Sequence, residues 1–461
     1  MLIRHAELQG RARCDLRLER GVVTEIAAAL DRRSGETVLE AAGAALLPGL
    51  HDHHLHLSAL AAAGASLPCG PPDIRNAAEL ALLLAQAATS GAGWIRGVQY
   101  HDSVAGPIDR HWLDRHVAER PVRIQHRSGR LWVLNSAALA LVAGDNAPLE
   151  RNEAGWTGRL YDGDAWLRER LGGDWPSLAE ISRALAAQGV TGLTDATPRN
   201  DLAAYHHFAA AQLRGDLLQR LLVMGDASLD ALPASLGAIG RGAWKLHLHE
   251  TDPPPYDGIV ADFRRSHAAG RTVAVHCVTL TELVLATTAL AEAGAVPGDR
   301  IEHASLTPPE LLPILAELGV TVVTQPNFIR ERGDAYRAEI ERAELPWLYR
   351  GRSFLAAGIP LAAGSDAPFG RPEPWQAMQA AVDRRCADGA VLGPDEALGP
   401  EQALALFLGP LDYPAGPARR IEIGMPADLC LLDRDWSSAR DALDEVRVLA
   451  TLRDGEMIWE A

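Results

Sequence analysis

The stretch VAVHCVTLTELVLATTALAEAGAVPGDRIEHA, residues 273–304, decides the fold. Two short apolar runs flank a helical pattern that begins at Thr279, where Glu282 completes a capping box three residues later. Strands that alternate with helices pair in parallel, and the unit recurs along the chain. Further strands are predicted within residues 189–198, 218–225, 320–325 and 359–366. So many units favour a (β/α)8 barrel of the TIM type, with an open doubly wound sheet as the alternative.

The two ends of the chain have a different pattern, with short alternating runs typical of β-strands between turns. We predict that residues 1–47 and 415–461 together form one small β-sandwich domain, because neither end has enough strands to be stable alone. The barrel is then predicted over residues 48–414. Within it, residues 60–175 are rich in Gly, Pro and Trp, which predicts an irregular insertion.

Composition limits the class of protein. The 461 residues carry a formal net charge of −16, and the acidic residues are spread along the chain, which argues against a nucleic-acid partner. The five cysteines are widely spaced without a CxxC pair, a pattern typical of reduced thiols in the cytosol. Since no apolar run is long enough to span a membrane, we expect a cytoplasmic protein, and neutral or cationic small-molecule substrates stay open. Assembly into a homo-oligomer stays open.

The stretch LPGLHDHHLHLSAL, residues 47–60, places His54 and His56 at alternate positions. Alternate side chains of a strand share one face, so both imidazoles can face one point inside a barrel. Two neutral imidazoles provide half of a site for zinc or a similar metal. A surface histidine cluster is the alternative, because His51 and His53 would form the opposite face.

Three further polar residues end predicted strands, namely His276, His303 and Asp366. In a barrel, the carboxyl ends of the strands form the face on which active sites are built. A single histidine there is usually a buried structural residue, but several at one level indicate a pocket. Lys245 also lies in a predicted strand, and it is the only lysine in a chain with 44 lysines and arginines.

Together these motifs resemble the amidohydrolase superfamily over essentially the whole chain. The shared features are Pro-Gly-x-x-Asp-x-His-x-His, a lysine in a middle strand, histidines that end two later strands, and a final Ser-Asp. More narrowly, WIRGVQYHDS (94–103), RPVRIQHRSGRLWVLNSAAL (120–139) and GSDAPFG (364–370) are similar to the amidohydrolase 3, or YtcJ-like, branch of metal-dependent hydrolases.

This resemblance implies an enzyme that hydrolyses amide-type C–N bonds in N-acyl, N-formyl or cyclic amides. It implies two divalent metal ions, with zinc expected. It further implies His54, His56 and Asp366 as ligands of one ion, with Asp366 also transferring protons. His276 and His303 would bind the other ion, and Lys245 would bridge both as a CO2-derived carbamate. Arginine could not replace this lysine, because the guanidinium group stays protonated.

Other residues are predicted around this centre. The candidates for substrate contacts are His101, His247, Gln325, Asn327 and Arg130. Arg130 stands where the branch commonly has histidine and would favour a carboxylate on the substrate, unless it pairs with a local acid. Asp52 is predicted to orient the histidines near it.

Two other functions stay open at this point. A mononuclear aminohydrolase, or deaminase, would use His247 and Glu250 in HLHE, with the glutamate moving protons. In that case Lys245 has no special role, and His303 has none that is evident. A non-catalytic barrel scaffold would be expected to have lost metal ligands, whereas this chain retains a residue of suitable chemistry at each position.

Overall fold

The computed structural model describes residues 1–8, 10, 13–71, 73–91, 93–144, 147–172, 175–233 and 235–461. The chain divides into two compact units. The first unit consists of Met1–Leu57 together with Leu178–Ala461, and the second is Ser58–Ser177.

Eight parallel strands of the first unit form a nearly closed barrel, in which neighbours in space are also successive barrel strands along the chain. A doubly wound sheet would instead reverse its strand order at a switch point. The predicted TIM-like barrel is therefore confirmed. Its strands are β1 (Leu50–Leu55), β2 (Val190–Asp195), β3 (Arg220–Gly225), β4 (Ile239–His247), β5 (Val273–Cys277), β6 (Arg300–His303), β7 (Thr321–Thr324) and β8 (Leu361–Ala363).

Helices separate most of these strands, and the predicted capping box is present, with Thr279 Oγ1 accepting from Glu282 N at 3.2 Å. No helix among the described residues is both long and apolar enough to cross a membrane. The main helices are Leu57–Gly64, Ala179–Ala186, Leu202–Arg214, Tyr256–Ala268, Leu280–Ala293, Leu312–Leu318, Asn327–Glu339, Arg352–Ala356, Pro374–Asp383 and Pro400–Ala405.

The barrel closes where β1 meets the end of β8. Asp366 N donates to His54 O at 2.7 Å, and His56 N donates to Ala367 O at 2.8 Å. Gly364 permits this approach, because a Cβ atom added there would lie 2.4 Å from His54 N. The backbone junction that closes the barrel therefore also fixes the distance between His54 and Asp366.

Strands from both ends of the chain pair in one sheet, which belongs to the same compact unit as the barrel. Its inner face packs one apolar cluster that includes Ile3, Leu16 and Leu431. The two layers of a sandwich, and the domain boundaries near 47 and 415, stay predictions. The strands are Leu2–Leu8, Arg13–Glu19, Val22–Ala27, Val38–Glu40, Ala45–Pro48, Leu429–Leu432, Val448–Arg453 and Glu456–Glu460.

The second unit is more regular than its sequence indicates, because it contains a five-stranded sheet and an apolar core of its own. Its irregular appearance in the sequence arises from short strands and short helices. The strands are Leu67–Pro68, Ile95–Tyr100, Val122–His126, Leu131–Leu134 and Arg159–Tyr161. The helices are Ala77–Thr89, Asp102–Ala105, Arg110–Asp114, Ser136–Val142 and Asp164–Leu171.

The close contact between Gly364 and His54, where the barrel closes, predicts the effect of adding a methyl group at Gly364. Gly364→Ala should lower the free energy of unfolding by about 1–3 kcal/mol, because the added atom collides with His54. It should also weaken metal binding, since β1 and β8 must separate. Thermal unfolding and metal analysis check both effects. The control is Gly258→Ala, in an open helical position where alanine should stabilise by about 0.5–1 kcal/mol. Equal unfolding midpoints for wild type and Gly364→Ala would contradict the role of this contact.

Candidate metal centre

Two histidines and one aspartate converge at the closure of the barrel. The Nε2 atoms of His54 and His56 lie 3.4 Å and 3.2 Å from Asp366 Oδ1. Each residue offers a ligand atom within 4.8 Å of the others, and no second such group of three occurs in the described part of the chain. The structure thus brings together the three residues that the family resemblance assigned to one metal.

The opposite ring nitrogens of both histidines have partners. His54 Nδ1 lies 2.5 Å from Glu302 Oε2, and His56 Nδ1 lies 2.9 Å from Thr197 Oγ1. Because a carboxylate only accepts, the Glu302 contact fixes the proton of neutral His54 on Nδ1 and leaves a lone pair on Nε2. This is how metal-binding histidines are commonly oriented. The chemistry of the three converging donor atoms therefore fits a divalent cation.

The charges around the three residues also favour a cation. Burial alone would lower the pKa of His54, but Glu302 and Asp366 outweigh it and raise the pKa. Burial alone would raise the pKa of Asp366, but the neighbouring His54 and His56 rings hold that pKa well below its usual range. Asp366 is thus an ionised carboxylate in a buried site, a group that needs a positive partner.

Lys245 lies in β4 with its side chain buried in the barrel. Within the described residues its Nζ atom has no hydrogen-bond partner. Burial is the largest cause that lowers its pKa, to about 8, against the opposing charges of Glu302 and Asp366. Burial thus raises the neutral fraction of this amine, and the neutral form is the one that a lysine nucleophile requires.

Further imidazole rings form a row behind His54. The ring centroids of His54 and His303 are 4.8 Å apart, and those of His303 and His276 are 4.5 Å apart. The row continues to His247 and His249 at 4.0 Å and 4.2 Å. Burial lowers the pKa of His303 to about 3 and that of His276 well below its usual value. Both rings are thus neutral, the form that binds metals.

The backbone turns sharply where two of these side chains leave their strands. His303 has a φ of 71° and Asp366 a φ of 55°, both in the left-handed region that residues other than glycine seldom adopt. Strand alternation alone gives Glu302 and His303 opposite faces. The turn at His303 accompanies the approach of both residues to His54. Such strained conformations persist only where the surrounding structure enforces them.

Two predicted substrate contacts are engaged with the protein. Gln325 is buried, and its Oε1 atom lies 2.7 Å from His303 Nδ1, so its amide orients that ring. Asn327 Nδ2 donates to Ser365 O at 3.0 Å and to Glu331 Oε1 at 3.1 Å. These amides thus hold neighbouring elements together, and contact of either residue with substrate stays a prediction.

The other predictions near the centre differ in outcome. Asp52 Oδ1 accepts from His54 N at 3.2 Å and from Ser365 N at 3.0 Å, so it fixes the backbone beside both strands. His247 lies next to His276 and stays a candidate for substrate contact. Glu250 is exposed and accepts from Thr281 Oγ1 at 3.0 Å, an unsuitable position for a buried proton carrier.

His101 and Arg130 belong to the second unit. Arg130 forms two hydrogen bonds with Asp162, at 3.0 Å and 2.6 Å, which is the local pairing that the sequence left as an alternative. His101 Nδ1 accepts from Ser103 N at 3.3 Å and begins a short helix. Contact of either residue with substrate stays a prediction.

Sequence reasoning missed Glu302. This fully buried carboxylate contacts His54 and accepts from Arg300 Nε at 2.7 Å and Arg300 Nη2 at 3.1 Å. Arg300 also donates to His53 O at 2.8 Å, so β6 is bound to β1 across the barrel. The available signal was the motif Arg-Ile-Glu-His, which places two opposite charges at alternate positions of one buried strand.

A barrel with a His-His-Asp set at the ends of its strands defines the class of metal-dependent hydrolases. The model of the amidohydrolase family matches residues 37–459. The chain belongs to this family, and the prediction of an amidohydrolase enzyme is confirmed.

Relatives of known name agree with this assignment. The chain is 28% identical to N-substituted formamide deformylase of Arthrobacter pascens, over 92% of this chain and 90% of the relative. It is 22% identical to putative amidohydrolase YtcJ of Bacillus subtilis (strain 168), over 91% and 89%. An uncharacterized metal-dependent hydrolase from Pyrococcus horikoshii OT3 has a similar fold, with a TM-score of 0.74, 19% identity and coverage of 94% and 97%.

The contact of Glu302 with His54 predicts an effect on metal affinity. Glu302→Gln should weaken metal binding about 10- to 100-fold, because the neutral amide orients His54 poorly and leaves Arg300 without its ionic partner. Titration with metal-buffered solutions measures the affinity, and circular dichroism monitors folding. The exposed Glu317→Gln serves as the control. A folded Glu302→Gln variant with wild-type affinity would show that this carboxylate does not orient the ligand.

Proposed function

We propose that this enzyme hydrolyses amide-type C–N bonds, with N-formyl amines as its first substrates to test and N-acyl or cyclic amides as the wider class. The observation that carries the proposal is the convergence of two imidazole Nε2 atoms and an ionised carboxylate beside a buried lysine. The relative named N-substituted formamide deformylase supports the choice of substrate.

His54, His56 and Asp366 would hold a divalent metal, and nitrogen and carboxylate donors of this kind suit zinc. When bound, such an ion polarises a carbonyl group and lowers the pKa of water. Asp366 would accept the proton of the attacking water on its carboxylate and return it to the nitrogen of the leaving amine. Its low pKa keeps the carboxylate ionised, the form that can accept a proton, and its contacts with both histidines keep Oδ1 in place.

We further propose that Lys245 carries a carbamate. Its neutral amine would attack CO2, so that one Nζ–C bond forms and one proton leaves to solvent. The product is an anionic carboxylate on a long side chain, which would hold a second metal together with His276 and His303. The buried and unpartnered Nζ atom supports this role, since a permanent ammonium ion there would lack a hydrogen-bonded partner among the described residues.

The deaminase and the scaffold are less well supported. The deaminase would need Glu250 as its proton carrier, and that side chain is exposed and bonded to Thr281. The scaffold is disfavoured by the retention of His54, His56 and Asp366 together. A cytoplasmic location and assembly into a homo-oligomer stay predictions of the sequence.

The primary test uses metal-loaded enzyme and N-formyl-2-phenylethylamine. Release of formate with an equal amount of amine is expected, and a chelator should abolish it while added zinc restores it. Ammonia release from aminated heterocycles, with no formate from the formamide, would favour the deaminase. No turnover of formyl, acyl or cyclic amides by fully loaded enzyme would reject the proposed function.

The proposed carbamate on Lys245 predicts that a positive charge at this position is not sufficient for metal binding and activity. Lys245→Arg should lose at least one metal and nearly all activity, because guanidinium does not form the carbamate. Lys245→Ala should recover part of its activity with acetate or propionate, which can replace the bridging group.

Carbon-13 NMR in labelled bicarbonate gives a direct measurement. Since Lys245 is the only lysine, the wild type should give one side-chain carbamate signal that Lys245→Arg lacks. The exposed Arg214→Lys is the control, because it adds a lysine outside the site. Full metal content and full rate in Lys245→Arg would exclude the bridging role.

A further inference from the structure

Arg332 lies on the helix Asn327–Glu339 that follows β7, and its side chain is half-buried. Its Nη2 atom donates to Phe369 O at 2.5 Å, and its guanidinium carbon lies 3.9 Å from the centroid of the Phe328 ring. These contacts hold the planar group in one orientation. The hydrogen bond uses one N–H group and the Phe328 ring covers one face of the guanidinium plane, so other N–H donors of the guanidinium stay available.

Arg332 has no ionic partner within the described part of the chain, where no carboxylate oxygen lies within 4.0 Å of its nitrogens. The adjacent Glu331 instead accepts from Asn327 Nδ2 and from Arg371 N. Arg130 and Arg300, by contrast, are each paired with a carboxylate. A half-buried guanidinium without such a pair is suited to an external anion.

The residue that anchors Arg332 also contacts the metal centre. The Phe369 ring meets the His56 ring edge-to-face at a centroid distance of 5.3 Å, and Phe369 N donates to Asp366 O at 2.8 Å. A single residue, Phe369, therefore connects Arg332 to the candidate metal ligand His56 and to the candidate proton acceptor Asp366. Burial opposes its charge, yet Tyr336, Tyr349 and Asp366 hold its pKa above the usual value.

Phe328, whose ring lies against this guanidinium, packs with other aromatic side chains. The hydroxyls of Tyr336 and Tyr349 lie 3.1 Å apart, and the rings of Phe328 and Tyr349 have centroids 5.8 Å apart. These residues belong to one apolar cluster, which Phe369 also joins. An apolar wall beside one oriented cation matches a molecule that has both an apolar group and an anionic group.

We propose that Arg332 binds a carboxylate on the substrate, so that the preferred substrates are N-formyl or N-acyl amines that carry a carboxylate and an apolar side chain. This inference rests on the proposed function and deepens it. A carboxylate is chosen over other anions because its two oxygens match the planar fork of guanidinium. The position next to Phe369 would orient the substrate relative to Asp366.

The test compares two substrates that differ by one carboxylate. Metal-loaded wild type and Arg332→Met are assayed with each enantiomer of N-formylphenylalanine and with N-formyl-2-phenylethylamine. For the preferred enantiomer, the ratio of kcat/KM between the acid and the neutral amide should fall about 10- to 100-fold in the variant, mainly through KM. Arg332→Lys should recover only part of the ratio. The control is Arg330→Met, on the same helix, where Arg330 faces Asp444 at 3.5 Å.

An unchanged ratio in a folded Arg332→Met variant would overturn the inference, since a purely structural arginine would affect both substrates alike. Calorimetric binding of the same two compounds to the metal-loaded proteins separates this result from failure of the proposed function. If neither compound is hydrolysed, the proposed function fails for formamides. Tighter binding of the acid that depends on Arg332 would then still support the subsite, and equal binding by wild type and variant would reject it.

Discussion

The structure depends on the junction of β1 with the end of β8. A barrel must join its first strand to its last, and here the joining hydrogen bonds involve the backbone of His54, His56 and Asp366. The residues that close the barrel are therefore the residues that form the candidate metal centre. Gly364 keeps the two strands close enough for both tasks, and Asp52 fixes the adjacent backbone from inside. Fold stability and site geometry cannot vary independently at this point.

The interior of the barrel contains several buried charged side chains. Arg300, Glu302 and Lys245 are buried near one another, and buried charges are tolerated only when they are paired or neutralised. Arg300 and Glu302 form a pair that crosses to β1, whereas Lys245 has no hydrogen-bonded partner among the described residues. A permanent cation would be costly there, but an amine with a pKa of about 8 can lose its proton. The same burial that penalises the ammonium ion thus favours the neutral amine that the proposed carbamate requires.

The residues of the candidate site that could be predicted from the sequence are those whose positions follow from the periodic patterns of strands and helices. Strand ends could be located from apolar runs and capped helices, so His54, His276 and Asp366 were found without tertiary information. Glu302 was missed because it adjoins His303, and alternation allows only one of the two to face inward. A left-handed φ at His303 changes that rule, and such a turn is not visible in a sequence that lacks glycine there. The contact of Gln325 with His303 was also not foreseen, because the partner of a side-chain amide depends on how neighbouring strands pack.

Arg332 illustrates a second limit of sequence reasoning. From the sequence, Arg130 was the arginine predicted to bind a carboxylate, because it stands where the similar branch of the family commonly has histidine. The structure pairs Arg130 with Asp162 and leaves Arg332 without an ionic partner in the described residues. Which arginine in a chain rich in arginine can bind an external anion depends on which acids are already used. Phe369, in the loop after β8, links Arg332 to His56. Specificity in this barrel would thus arise from the same loop that carries Asp366, so that binding and proton transfer share one rigid support.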